Sequence, residues 1–190
     1  DDCSSRGLGD VYKRQSHPPS TAPTINHRGR STPMQTRRLT TDDVEAMWAI
    51  NEEGLPGTGQ VSQVELAALL DRSNLAMGCF ESGGMLGFVI CLPPGTDYGS
   101  LNYAWFDERY DAFVYVDRIA VAEVHRNKGV GSHLYNQVIS FAKTTLAPVA
   151  AEVNLEPPNP GSMRFHERFA FEEVGVLHHD AKSVTMLLRT

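Results

Sequence analysis

Apolar positions along this chain recur with two periods, and the switches between them outline its elements. "QTRRLTTDDVEAMWAINEE" predicts a short strand, a cap and a helix. Thr41, Asp42 and Asp43 supply acceptors for the first free amides, and Val44, Met47, Trp48 and Ile50 make one helical face. "LPGTGQVS" breaks that helix, and "QVELAALLDRS" opens a second, with Val64, Leu66, Ala67, Leu69 and Leu70 as its apolar side. "LAMGCFESGGMLGFVICLPPG" reads as a hairpin turning at Ser82-Gly83-Gly84, and Pro93-Pro94-Gly95 ends it. "TDYGSLNYAWFDERYDAF" has no clean period and reads as an inserted loop, polar and aromatic. "FVYVDRIAVAEV" is rich in β-branched and aromatic residues and predicts a strong strand. Gly131 to Leu146 predicts a helix with Leu134, Val138, Ile139 and Phe141 towards the core. "PVAAEVNL" predicts a further strand, punctuated by Pro157-Pro158-Asn159-Pro160. "GSMRFHERFAF" then reads as a short helix, and "EEVGVLHH" and "SVTMLLR" as the last two strands. Strands interleaved with helices, plus an early hairpin, mean an α/β fold with a mixed sheet.

The first 33 of the 190 residues follow no such pattern. They are rich in Pro, Ser, Thr and charge, and "DVYKRQ" (Asp10 to Gln15) matches the translation of a transposon-end sequencing adapter. Residues 1–33 are therefore expected to be an adapter read-through, of the kind a metagenomic assembly produces, or a disordered leader. A single domain is expected over 34–190, with Met34 as the natural start. The leader carries net +2, which leaves −8 on the body of a chain whose total is −6. An acidic body argues against nucleic acid as the partner. No window is apolar enough for a membrane span and none has the build of a signal peptide, so no membrane partner and a cytoplasmic location are expected. Cys79 and Cys91 fit no zinc or redox spacing and read as buried thiols in a reducing compartment.

"VHRNKGVGSHLY" gives up side chains at Gly129 and Gly131, where a helix is starting. A strand running into such a turn and then a helix makes an anion site: the first amides are unpaired, and the macrodipole adds partial positive charge. Arg126 and Lys128 add fixed charge and Ser132 a hydroxyl. Two familiar phosphate loops fail on spelling. No G-x-x-x-x-G-K-[ST] string is present, and the third glycine of G-x-G-x-x-G falls on Leu134.

What remains, Arg126-x-x-Gly129-x-Gly131 after "DRIAVAEVH", resembles the acyl-CoA pyrophosphate loop of the GCN5-related N-acetyltransferase (GNAT) superfamily. "NPGSMRFHERFAFEEVG" is similar to that family's C-terminal helix and strand. "NYAWFDERYDAFVYVDRIAV" with "EVNLEPPNPGS" resembles a group of predicted bacterial acetyltransferases within it. The resemblance runs from about Gln35 to the end of the chain. Two departures are visible: Ala170 stands where the family has a glycine, and His166 where many relatives carry a tyrosine acid.

The resemblance implies a mostly antiparallel central sheet with a splayed parallel pair, Phe113 to Val121 and Pro148 to Leu155, and flanking helices. It implies acetyl-CoA as co-substrate, no metal, and direct transfer of the acetyl group to an amine in a ternary complex. A small-molecule amine is expected over a protein amine, and a homodimer is possible. The rival is a non-catalytic acyl-CoA-binding module. The Ile119 amide would polarise the thioester carbonyl and Val121 would bond the pantetheine arm. Arg126, Asn127, Lys128, Gly129, Val130, Gly131 and Ser132 would hold the diphosphate through their amides, with Asn154 and Asn159 as further contacts. An alkyl amine is protonated at neutral pH, so a base is needed. Asp117 is the first candidate, placed on the face of Ile119 by alternation, with water relays from Glu152 or Tyr115 as alternatives. His166 would protonate the leaving thiolate. Tyr103, Trp105 and Tyr110 would line the acceptor pocket. His178-His179-Asp180 reads as a solvated strand end rather than a metal site.

Overall fold

The computed structural model describes residues 33–180 and 182–190; the leader read over residues 1–33 lies, apart from Pro33, outside them. Seven strands form one sheet: β1 (Gln35–Arg38), β2 (Leu75–Glu81), β3 (Gly84–Leu92), β4 (Val114–Val121), β5 (Val149–Glu156), β6 (Glu172–His179) and β7 (Lys182–Arg189), in the order β1-β2-β3-β4-β5-β7-β6. Every neighbouring pair is antiparallel except β4 and β5. That parallel pair is joined only at Val114–Val149 and Tyr115–Ala150, after which the strands diverge. The gap so opened organises the site.

Helices cover both faces. On one lie α1 (Val44–Glu53), α2 (Gln63–Arg72) and α3 (Leu101–Asp107), over a core that includes Met47, Leu66, Phe88, Ile90, Phe106 and Tyr115. On the other, α4 (Val130–Thr145) and α5 (Pro160–Arg168) cover Val89, Cys91, Val116, Ala151 and Val153. Cys79 and Cys91 are buried free thiols. Helix α2 starts on a reciprocal cap: the Glu65 amide donates to Ser62 Oγ (3.2 Å) and the Glu65 carboxylate accepts from the Ser62 amide (2.8 Å). Val64, assigned above to the apolar side of this helix, is 80% exposed, because the buried stripe runs through Leu66 and Leu69.

Two expectations need correcting. The segment read as an aromatic loop contains α3, started by Ser100 Oγ accepting from the Tyr103 amide (3.3 Å). Its signal was present in the spacing of Tyr103, Phe106 and Tyr110, but a seven-residue helix is too short to show a full period. The alternation assumed along β4 also fails. Ile90 pairs with Arg118 and Cys91 with Val116, so Asp117 is a bulge residue without a partner on β3. The extra residue shifts the pattern, and Asp117 lies with Arg118 on the α1–α3 face while Ile119 packs towards α4.

Candidate active site

The diverging strands open a cleft of about 530 Å³. Its walls are β4 and β5, the loop joining α1 to α2 (residues 54–59), the start of α3, Arg126 and Tyr135 from the turn and helix after β4, and Ser162 and His166 of α5. The β4 edge facing the gap follows from the sheet pattern. Ala122 N donates to Leu86 O on β3 (2.9 Å), so the amides of Val121 and Ile119 point the other way, into the gap. These are the two amides singled out in the sequence.

Beyond β4 the chain makes a short 3-10 turn, Glu123–His125, and reaches α4 through Asn127 and Gly129, both with positive φ (60° and 84°). Gly129 occupies the N-cap position, where a left-handed backbone favours glycine, and no side chain caps the helix. The first-turn amides of α4, from Val130 through Ser132, therefore stand without side-chain partners. At Gly131 a Cβ would make only ordinary contact with the Phe165 ring, at 3.5 Å, so packing does not demand glycine there. Asn127 and Lys128 are exposed. Arg126 reaches across the mouth of the cleft, donating from Nη2 to Glu53 O (2.8 Å) and from Nε to Val121 O (3.2 Å). Asn154 and Asn159 both line the cleft. The Asn159 side chain caps α5, its Oδ1 accepting from the Ser162 amide (3.1 Å).

Asp117 lines the cleft, and its carboxylate is paired with Arg118. Its side chain is 3% exposed and accepts from Arg118 Nε at 2.8 Å. Tyr98 lies alongside, its phenol pushed up by burial and by the Asp117 charge. Glu152, on the same face of the gap, is placed differently. Oε1 accepts from Tyr115 Oη (2.9 Å) and Asn102 Nδ2 (3.0 Å), while Oε2 is buried with no partner. Burial, and then the Asp117 charge, raise this carboxyl to about 7; its bonds to Asn102 and Tyr115 and the Arg118 charge pull the other way. Asn102 is positioned in turn by His179, whose Nε2 lies 3.0 Å from Asn102 Oδ1.

His166 lines the cleft but is 4% exposed. Its Nε2 is 2.6 Å from Tyr135 Oη, and its Nδ1 is 2.8 Å from Ser162 O. Burial lowers its pKa, against the bond to Ser162. Tyr135, on α4, also lines the cleft and went unremarked in the sequence, where it reads as one more apolar position of an amphipathic helix. The three aromatic residues expected around the acceptor do not face the cleft. Tyr103 is buried, donating from Oη to Pro93 O (2.7 Å); Trp105 packs on Gly175 of β6; Tyr110 packs against the core beside Phe106. Tyr98 and Ser100, just before α3, and Asn102 in its first turn line the cleft instead.

A mostly antiparallel sheet that splays at its one parallel pair, with an uncapped glycine-led helix at the mouth of the gap, defines an acyl-CoA N-acyltransferase fold. The chain belongs to the acetyltransferase (GNAT) family, whose model matches residues 44–171. As a member it is an N-acetyltransferase that takes its acetyl group from acetyl-CoA. Its structure is similar to that of Ard1 from Thermoplasma volcanium, with 20% identity, a TM-score of 0.66, and coverage of 82% of this chain and 96% of that one. Arabidopsis thaliana NAA60, solved with a bisubstrate analogue, has 17% identity, a TM-score of 0.66 and coverage of 82% and 97%. The ribosomal-protein-S18-alanine N-acetyltransferase of Escherichia coli has 17% identity, a TM-score of 0.62 and coverage of 83% and 93%. No curated protein sequence matches the chain. Among the described residues no helix is long and apolar enough to cross a membrane.

Proposed function

We propose that the protein acetylates a small-molecule primary amine by direct attack on acetyl-CoA in a ternary complex, with Glu152 as the general base. The observation that carries this is the Glu152 carboxyl itself. It stands at the gap with one oxygen unpartnered and a proton affinity near neutrality, about 7. A base poised there takes a proton from an incoming ammonium far better than an ordinary carboxylate does. Asp117 gives up that role because Arg118 already occupies its oxygen. The diphosphate would rest on the α4 amides, the pantetheine arm on Val121, and the thioester carbonyl on the Ile119 amide. Each of these donors is fixed before substrate arrives, as electrostatic stabilisation of an oxyanion requires.

A small acceptor suits the enclosure. The end of the cleft near Glu152 is walled by Tyr98, Ser100 and Asn102, by the α1–α2 loop, and by His179 and Lys182. That loop also comes close to α5: a Cβ on Gly57 would lie 3.7 Å from Asn159 Nδ2. Two buried free thiols accord with a cytoplasmic setting.

The test is release of coenzyme A thiol from acetyl-CoA against a panel of primary alkylamines, amino acids and short peptides with free N-termini. Turnover is expected with small amines, and Glu152→Gln should lower kcat by about 100-fold or more while leaving coenzyme A affinity intact. Turnover with peptides alone would overturn the acceptor assignment. Tight coenzyme A binding without turnover on any acceptor would favour the binding-module reading.

A further inference from the structure

His166 occupies the helix position at which a proton donor was expected, yet neither ring nitrogen is free. Nδ1 faces the Ser162 carbonyl oxygen at 2.8 Å, and a carbonyl only accepts, so Nδ1 carries a proton. Nε2 of the neutral ring then offers a lone pair, and Tyr135 Oη donates to it across 2.6 Å. The ring's other neighbours are Phe165 and Phe171, edge-on at 5.6 and 5.0 Å, and among the described residues no carboxylate bonds it. Adding one proton to this pair reverses the bond. The imidazolium donates from both nitrogens, and the phenol hydrogen is released towards the cleft that Tyr135 lines.

The position of the pair matters as much as its chemistry. Tyr135 sits little more than a turn beyond the α4 amides, in the cluster with Val116, Ala151 and Val153 that flanks the gap on the α4 face. Glu152 stands on the opposite face with Tyr115 and Asn102. The gap thus has a proton acceptor on one side of the sheet and a hydroxyl backed by an imidazole on the other.

We propose that Tyr135 is the catalytic residue that protonates the departing sulfur, with His166 as the positioning residue that resupplies its proton. This rests on the acetyl-transfer reading above. When the C–S bond of the tetrahedral adduct breaks, its electron pair leaves on sulfur. Sulfur takes the Tyr135 hydroxyl proton, and the Tyr135 oxygen takes the Nε2 proton of the imidazolium. The ring is left neutral, in the arrangement the structure shows. Meanwhile Glu152, which has already passed the ammonium's first proton to water in the cleft, accepts the second, shed by the amine nitrogen of the adduct. Glu152 releases that proton to water in the cleft as the products leave, and the pair takes one up, so the cycle closes without net change in the enzyme.

Tyr135→Phe and His166→Gln separate this arrangement from direct donation by His166. Tyr135→Phe is expected to lower kcat by about 100-fold or more with the best acceptor from the amine panel, at unchanged coenzyme A affinity and KM. His166→Gln should lose less, since the hydroxyl still reaches the sulfur. A second measurement needs no acceptor: the thiol of bound coenzyme A is titrated by the ultraviolet absorbance of its thiolate. A hydroxyl donating to the thiolate stabilises it, so the bound thiol should titrate at lower pH in the unmodified protein than in Tyr135→Phe. Identical titrations, or near-normal kcat in Tyr135→Phe alongside a large loss in His166→Gln, would overturn the assignment. Failure of the unmodified protein to bind coenzyme A at all would instead bring down the acetyl-transfer reading, and this inference with it.

Discussion

A carboxyl group enclosed with a phenol and an amide cannot keep its aqueous acidity. Glu152 binds its proton more tightly in the folded protein, at about 7, than the ordinary value of 4.5. Stability linked to this group is therefore full below about 4.5 and falls as pH rises through about 7. Glu152→Gln keeps the shape and both accepted hydrogen bonds at Oε1 while removing the charge. At pH 8 the variant should melt at a higher temperature than the unmodified protein, by up to the order of 3 kcal/mol in stability, and the difference should vanish as pH falls below about 4.5. Activity runs the opposite way, since only the ionised carboxylate can act as base and kcat should rise with pH through about 7. In the sequence both this residue and Asp117 are acids within apolar strands, and Arg118 directly after Asp117 is the one local difference beside them. Their surroundings differ in the fold: Arg118 is within 2.8 Å of Asp117, while Glu152 has only neutral neighbours in its hydrogen bonds.

Among the elements, the bulge in β4 has the widest consequences. By placing Asp117 and Arg118 on one face, it lets Arg118 bond its neighbour and still extend Nη1 to Asn51 Oδ1 (3.1 Å) and Gly59 O (3.4 Å). Asn51, fully buried in α1, donates to the same Gly59 carbonyl at 3.0 Å and accepts from Thr58 Oγ1 at its own carbonyl (3.0 Å). The α1–α2 loop is thus fastened to the central strand from within. Arg118→Ala would leave Asp117 buried without its partner, at a cost of about 3–5 kcal/mol in urea unfolding. Pairing it with Asp117→Asn should recover much of the stability but not the loop, so acceptor KM should stay raised while coenzyme A affinity holds. A loss of coenzyme A affinity equal to the loss for acceptor would show that the loop serves both substrates alike. Helix α3 works through contacts of the same kind: Trp105 seats on Gly175 of β6, where a Cβ would come within 2.7 Å of the indole, and this docking holds Asn102 beside Glu152.

At the scale of the whole molecule, the cleft exists because one pair in a seven-stranded sheet is parallel and separates after two residue pairs. Antiparallel neighbours on both sides keep the two halves rigid, and α4 and α5 close the far face. A ligand lying in such a gap touches both halves and binds only the folded chain. Coenzyme A should therefore raise the melting temperature in a concentration-dependent way, by about 2.7 kcal/mol in stability at a hundredfold excess over Kd. A melting temperature that does not move across such a titration would mean that the gap is not where the cofactor binds.

The sequence by itself determined the order of the strands and of the helices other than α3, the glycine-led turn into α4 and the family. These are written in local terms: periodicity, a left-handed turn that wants glycine, and a short spelling before a helix. Tertiary structure alone decided how each of the two acids at the gap is partnered, that α3 turns its aromatic side inward, and that His166 meets Tyr135 from another helix. Proton affinity and side-chain partnership depend on groups far apart in the chain, such as Asn102 with Glu152 or Tyr135 with His166, and no period or motif encodes them. A single unpaired residue in β4 changed the face of Asp117, which alternation could not anticipate.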